Sequence, residues 1–200
     1  MVMNKGEQTR AAIVAEAIRL AGVQGLEGIS IGALAARMKL SKSGLFGHFG
    51  SKAALQQAVL EAVTERFVDE VIRPALREPS GELRLRIFFN RWLAWVENDA
   101  IPGGCPLMAA AIELEERPGV LRDYLAEQQY QFIDALTRMA ASAVASGSFH
   151  SDSDTRQFAF ELYGIGLSYN VWTRLLRDPT AKDRALRAFG NLLERFRTDS

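Results

Sequence analysis

The 200-residue chain holds one cysteine, two histidines and six prolines, and the first two scarcities each remove a class of function. A lone thiol, Cys105, leaves no internal disulfide and no multi-cysteine metal site. Of the histidines, His48 falls in a Gly- and Ser-rich segment and His150 in a polar loop, so no nucleophile–base arrangement is visible. The chain therefore reads as no enzyme, with no catalytic residue, no cofactor and no metal site. The cluster Glu113, Glu115, Glu116 has no histidine at ligand spacing and reads as a solvated face. No apolar run reaches the roughly 18 residues of a membrane span, and Met1 to Thr9 lack an apolar signal core, so the expectation is a cytoplasmic protein with no membrane partner. Net charge is absent too: 24 basic residues balance 24 acidic ones.

That balance is uneven along the chain. Residues 1–52 carry seven Lys/Arg against three Glu, a net +4, and the remainder carries −4. A local basic excess is what phosphate neutralisation requires, and it coincides with the most informative stretch, Ser41 to Lys52. There Leu40, Leu45 and Phe49 are spaced to anchor one face of a short helix, with Ser41 as its N-cap. The other face is small or polar. Ser43 and Gly44 leave little bulk, and Lys42, His48 and Lys52 supply donors. Just upstream, Ser30 caps a second amphipathic helix with Ile31, Leu34, Ala35 and Met38 inward, joined to the first through Lys39 and Leu40. Two short helices with so tight a joint are the pattern of a helix-turn-helix.

At these residues the sequence resembles the tetracycline-repressor (TetR) family of transcriptional regulators. The match runs from about Thr9 to about Leu60, through Ile13, Ala17, Leu20, Gly25, Ile31, Leu34, Ala35, the block Ser41 to Lys52, and Leu55. The family commonly has Gly in the turn where this chain has Lys39, and Tyr where it has Phe46, which removes one potential phosphate hydrogen bond. The resemblance implies operator DNA as a partner. Lys42, Ser43 and Gly44 are expected nearest the bases, Ser30, Phe46, His48 and Lys52 nearer the phosphates, and Ser41 completes the contact set.

The rest of the chain reads as helices. A first helix over Glu7 to Ala21 follows a short arm, Met1 to Gly6. Ser51 caps a long fourth helix ending or kinking at Pro74 and Pro79, and further helices span Glu82 to Glu97, Cys105 to Glu116, and Pro118 to about Gly147. Two last helices follow, the first apolar on more than one face from Phe158 to Leu176. A helix with that much apolar surface near a chain end calls for self-association. The resemblance implies the same, a homodimer through the last two helices.

The fold class is all-α: an N-terminal three-helix helix-turn-helix DNA-binding domain, residues 1–52, then a larger helical ligand-binding and dimerisation domain, residues 53–200, about nine helices in total. Phe88, Phe89, Trp92, Trp95, Cys105, Met108, Phe132, Tyr163 and Tyr169 could each be plain core. The resemblance implies that they line a cavity for a small-molecule effector that releases a repressor from its operator. Cys105 could also be a thiol sensor. Two other readings stay open: a ligand-binding or enzymatic bundle whose N-terminal motif is only packing, and a DNA-binding protein whose cavity is filled core.

Overall fold

A computed structural model describes residues 4–98 and 103–198, which form nine helices when each unbroken run is counted once. Residues 1–3 of the expected arm and 99–102 of the expected loop after Glu97 lie outside the described residues. Helix α1 (Lys5–Gln24) starts before Glu7 because Asn4 caps it. Asn4 Oδ1 accepts from the Glu7 amide at 2.9 Å and Glu7 Oε2 accepts from the Asn4 amide at 2.8 Å, satisfying two end donors reciprocally. Then come α2 (Ile31–Arg37), α3 (Lys42–Phe49) and α4 (Lys52–Phe67), capped by Ser30, Ser41 and Ser51 respectively. α5 (Glu82–Glu97), α6 (Pro106–Leu114), α7 (Val120–Ala145), α8 (Thr155–Asn170) and α9 (Ala181–Phe196) complete the chain. Among the described residues the only extended pairing is a single antiparallel bridge, Phe149 with Arg197, and no helix is long and apolar enough to cross a membrane.

The predicted kink is a change of helical register. α4 runs into a π-helical turn, Val68–Ile72, and a short helix, Arg73–Leu76. Pro74 has no N–H to offer the Glu70 carbonyl four residues back, so the ladder is interrupted there. That carbonyl accepts instead from Arg91 Nη1 at 3.2 Å.

The chain divides into two compact units, residues 4–66 with 103–126, and Phe67–Asn98 with 127–198. In the first, Ile13, Ala17, Leu34, Ala35, Leu45, Leu55 and Leu60 are at most 2% exposed and share one core with Ala110 and Leu114 of α6 and Leu125 of α7. At roughly 1.5–3 kcal/mol for each buried Leu or Ile side chain, this core is what holds two helices as short as α2 and α3 in place. The second unit is organised on aromatic rings. Phe89 stacks on Phe189 at 4.2 Å, Trp92 is stacked with Tyr163 at 6.4 Å, and Phe67, Phe88, Trp92, Trp95, Phe132 and Tyr163 otherwise pack edge-on or tilted against one another. On α5, Leu83 is exposed, and Leu85 and Phe89 take the inward positions.

The end of the chain is tied to the start of α5. Arg197 Nε and Nη2 donate to the two carboxylate oxygens of Glu82 at 2.7 and 2.6 Å, and Arg86 Nε donates to Glu82 Oε1 at 2.6 Å. The Arg197 hydrogen bonds hold the Glu82 carboxyl below its usual range against the opposing effect of burial, with Arg86 adding to the same side.

Candidate nucleic-acid interface

The joint between α2 and α3 closes as a helix C-terminal motif. The Lys39 amide donates to the Ala36 carbonyl at 3.2 Å and the Leu40 amide to the Ala35 carbonyl at 2.9 Å, with Lys39 at φ 54°. This pairing of the last carbonyls demands a left-handed residue at that position, where glycine is at ease and lysine is strained. The side chain of Leu40 turns inward beside α3.

α3 then presents its face. Ser41 Oγ accepts from the Gly44 amide at 3.0 Å and lies 3.2 Å from Ser43 Oγ, which fixes the first turn. Leu45 is fully buried and pins the helix by its middle. Lys42, Ser43, Gly44, Phe46 and Gly47 are exposed, and His48 and Phe49 half-buried. A Cβ built on Gly47 would meet nothing within 4 Å, so its surface is open to a close-approaching partner. Lys42, Phe46 and Lys52, with Ser30, Ile31 and Gly32 at the start of α2, line a groove of about 470 Å³. All eight expected DNA contacts thus border the groove or lie on or at the start of α3, with the half-buried His48 in its last turn.

The cations around this face are held differently. Lys42 is exposed, its stem running past Gly32. Lys52, expected to sit beside a phosphate at the start of α4, donates through Nζ to the Glu27 carbonyl at 2.6 Å and so also ties down the α1–α2 loop. Arg37 Nε donates to Glu16 Oε1 at 2.6 Å. The Arg10 guanidinium lies 5.0 Å from the centre of the Phe49 ring, which stations it beside the end of α3.

One sequence expectation is corrected here. Glu115 and Glu116 are solvated, but Glu113 is not: its carboxylate accepts from the Leu26 and Glu27 amides at 2.8 and 2.9 Å. Sequence reasoning missed this contact, and Gly25 just before the loop was its only local signal. It also missed Gln56, buried and donating to the Leu26 carbonyl at 3.0 Å.

The expected effector residues fall in both units. Phe88, Phe89, Trp92, Trp95, Phe132, Tyr163 and Tyr169 belong to the second, and Cys105 and Met108 to the first, so the nine do not form one cluster within a unit. The Trp92 indole lies directly over Gly166, where a Cβ would come within 2.1 Å of the ring. Tyr163 donates to Gln129 Oε1 at 2.9 Å, and Tyr169 donates to Glu97 Oε1 at 2.7 Å while Lys182 holds Glu97 Oε2 at 2.9 Å. Burial, and then the bond to Glu97, raise the Tyr169 phenol above its ordinary value. Burial pushes Glu97 up, but the bonds from Tyr169 and Lys182 outweigh it and leave this carboxyl below its usual range.

Comparison with known proteins agrees with this architecture at both ends. Residues 13–59 match the family described as "Bacterial regulatory proteins, tetR family", and residues 81–189 match "Tetracyclin repressor-like, C-terminal domain". No curated protein sequence matches the chain. Among solved structures, a TetR transcriptional regulator from Chloroflexus aurantiacus is 23% identical, with 96% of each chain covered and a TM-score of 0.81. A TetR-family regulator from Cytophaga hutchinsonii is 20% identical over the whole of both chains, with a TM-score of 0.83. AibR, solved in complex with isovaleryl coenzyme A and operator DNA, is 22% identical, covering 92% of this chain and 97% of its own, with a TM-score of 0.75.

Proposed function

Because the chain belongs to the tetracycline-repressor (TetR) family of bacterial transcriptional regulators, we propose that it is a cytoplasmic homodimeric repressor, released from a pseudopalindromic operator by a small-molecule effector. The observation that carries the DNA half is the face of α3: Lys42, Ser43, Gly44 and Phe46 stand exposed over a fully buried Leu45, in the part of the chain with a net charge of +4. Lys42, Ser43 and Gly44 lie nearest the base edges, and the Lys42 ammonium also neutralises a phosphate on the way in. Ser30, Ser41, His48 and Lys52 serve the backbone, and Phe46, without a hydroxyl, offers an apolar surface of the kind that meets a thymine methyl. Residues 1–52 are the DNA-binding domain in this reading, and residues 53–200 bind effector and dimerise.

The dimer is argued from uncovered surface. On α8 and the turn that continues it, Phe160 is 72% and Leu175 77% exposed and Val171 is exposed as well, and on α9 Leu186 is exposed. Gly164 and Gly190 would each accept a Cβ without contact. An apolar stripe on the last two helices is what a two-fold partner covers, and two copies of α3 then address successive major grooves. The effector is placed against the rings of Phe88, Trp92, Trp95, Phe132, Tyr163 and Tyr169, an apolar surface with a few polar tips. AibR, complexed with both isovaleryl coenzyme A and operator DNA, supports a regulator of this fold serving both partners. The packing of Trp92 on Gly166 favours the second reading for this region, a filled core.

The test is selection of host genomic fragments on the purified protein at moderate salt with excess random competitor. Enrichment of a pseudopalindrome near a few promoters is expected. Uniform, salt-sensitive retention of every fragment, or of none, refutes specific regulation.

A further inference from the structure

We propose that Glu113 is a positioning residue for DNA reading: from α6 it fixes the α1–α2 loop, and through the loop the pitch at which α2 and α3 are presented. The inference rests on the DNA-reading role proposed above. The loop has two consecutive amides and two consecutive carbonyls to satisfy, at Leu26 and Glu27. Both amides donate to the Glu113 carboxylate, at 2.8 and 2.9 Å. Both carbonyls accept from α4, the Leu26 carbonyl from Gln56 Nε2 at 3.0 Å and the Glu27 carbonyl from Lys52 Nζ at 2.6 Å. The loop is thus gripped from two sides, and the carboxylate supplies the charge-assisted, two-pronged hold on the donor side.

The loop is shaped for that carboxylate. Gly25 sits at φ 77°, and a Cβ there would lie 3.0–3.2 Å from the Glu113 carboxylate atoms. Leu26 and Ile29, 2% and 1% exposed, anchor the loop in the core that also holds Leu34 and Leu45. Shifting the loop therefore shifts the floor under α2 and α3. The segment entering α6 is registered on the same end of α1, since a Cβ on Gly103 would fall 1.4 Å from the Gly22 carbonyl oxygen. Glu113 lies 87 residues from Leu26 in sequence and takes no place on the exposed face of α3. Any displacement of α6 thereby reaches the reading helix without a contact to DNA.

The test measures the full chain and its variants on two duplexes, a fragment recovered by genomic selection and a random sequence. Glu113→Ala should bind the selected fragment about tenfold more weakly, the order of one mismatched base pair. Its affinity for the random duplex should stay within about twofold, because the phosphate-contacting cations are untouched. Glu113→Gln, with one oxygen left to accept, should fall between. Glu115→Ala and Glu116→Ala remove the same charge from the same helix end and should change nothing. Amide exchange at Leu26 and Glu27 should quicken in Glu113→Ala and in neither control. Equal loss on both duplexes with a lowered thermal midpoint would overturn the inference in favour of plain fold support, and so would unchanged binding of the selected fragment. A wild type that selects no fragment refutes the DNA-reading proposal itself, and this inference with it, which is a different result from either.

Discussion

Replacing Lys42 by alanine should flatten the salt dependence of operator binding, and the size of the effect follows from the geometry. The ammonium of Lys42 is carried past Gly32 to the edge of the exposed groove, beside Phe46 and the start of α2. Each phosphate neutralised releases condensed counterions and contributes about 0.9 to the slope of log K against log salt. A dimer on a two-fold operator uses the residue twice, so the slope should fall by about 1.8. Between about 50 and 200 mM salt, the affinity lost by the variant should then be about twelvefold smaller than that lost by the wild type. Fluorescence anisotropy on a labelled selected fragment, titrated at four or so salt concentrations, reads this directly. Arg37 supplies the contrast: its guanidinium is engaged by Glu16 at 2.6 Å, and Arg37→Ala should leave the slope unchanged. Parallel lines for Lys42→Ala and wild type would remove Lys42 from the phosphate contacts and refute the reasoning.

Lys39 tests the turn. Lys39→Gly relieves the left-handed strain while Lys39→Ala keeps it, and both lose the charge, so denaturant unfolding should find the glycine variant more stable than the alanine variant by about 1 kcal/mol; equal stabilities would refute the strain. Gly166→Ala should destabilise by about 1–3 kcal/mol, because the new methyl meets the rigid Trp92 ring, and the near-UV dichroism of the tryptophans should change with it. A fully stable Gly166→Ala with altered ligand response would instead show that Trp92 moves aside readily. Glu82 makes a pH prediction. Its folded pKa is lowered, so its contribution to stability is complete above the ordinary carboxyl value of 4.5 and is lost as pH falls below that toward the folded value. The thermal midpoint of the wild type should therefore drop more steeply below about pH 4.5 than that of Glu82→Gln, and parallel curves would exclude the Arg197 clamp as the cause.

Much was legible in advance because it depends on neighbours in sequence. Ser30, Ser41 and Ser51 cap the helices they were expected to cap, since an N-cap needs only its own hydroxyl and an amide three residues on. The α5 boundaries, Glu82 to Glu97, came out as the periodicity and breakers indicated. The basic excess and the small polar face of α3 are also local properties. Helix α1 starts two residues before Glu7 because the Asn4–Glu7 capping box, and not apolar spacing, sets its first turn.

What escaped was everything held by residues far apart in the chain. A glutamate beside Glu115 and Glu116 looks solvated until the fold brings two loop amides to it from 87 and 86 residues away. Lys52 looks like a bare cation at a helix N-terminus until the Glu27 carbonyl is found in reach. The effector candidates looked like one set because aromatic composition carries no distance, whereas packing assigned Cys105 and Met108 to the compact unit of the reading helices and the other seven to the second unit. The sequence by itself determined the helices, their caps, the helix-turn-helix and the family, all of which rest on spacing along one chain. Only the tertiary structure decided which charges are spoken for and that α6 folds with the DNA-reading head, because hydrogen bonds and burial between remote segments leave no periodic trace in the chain that makes them.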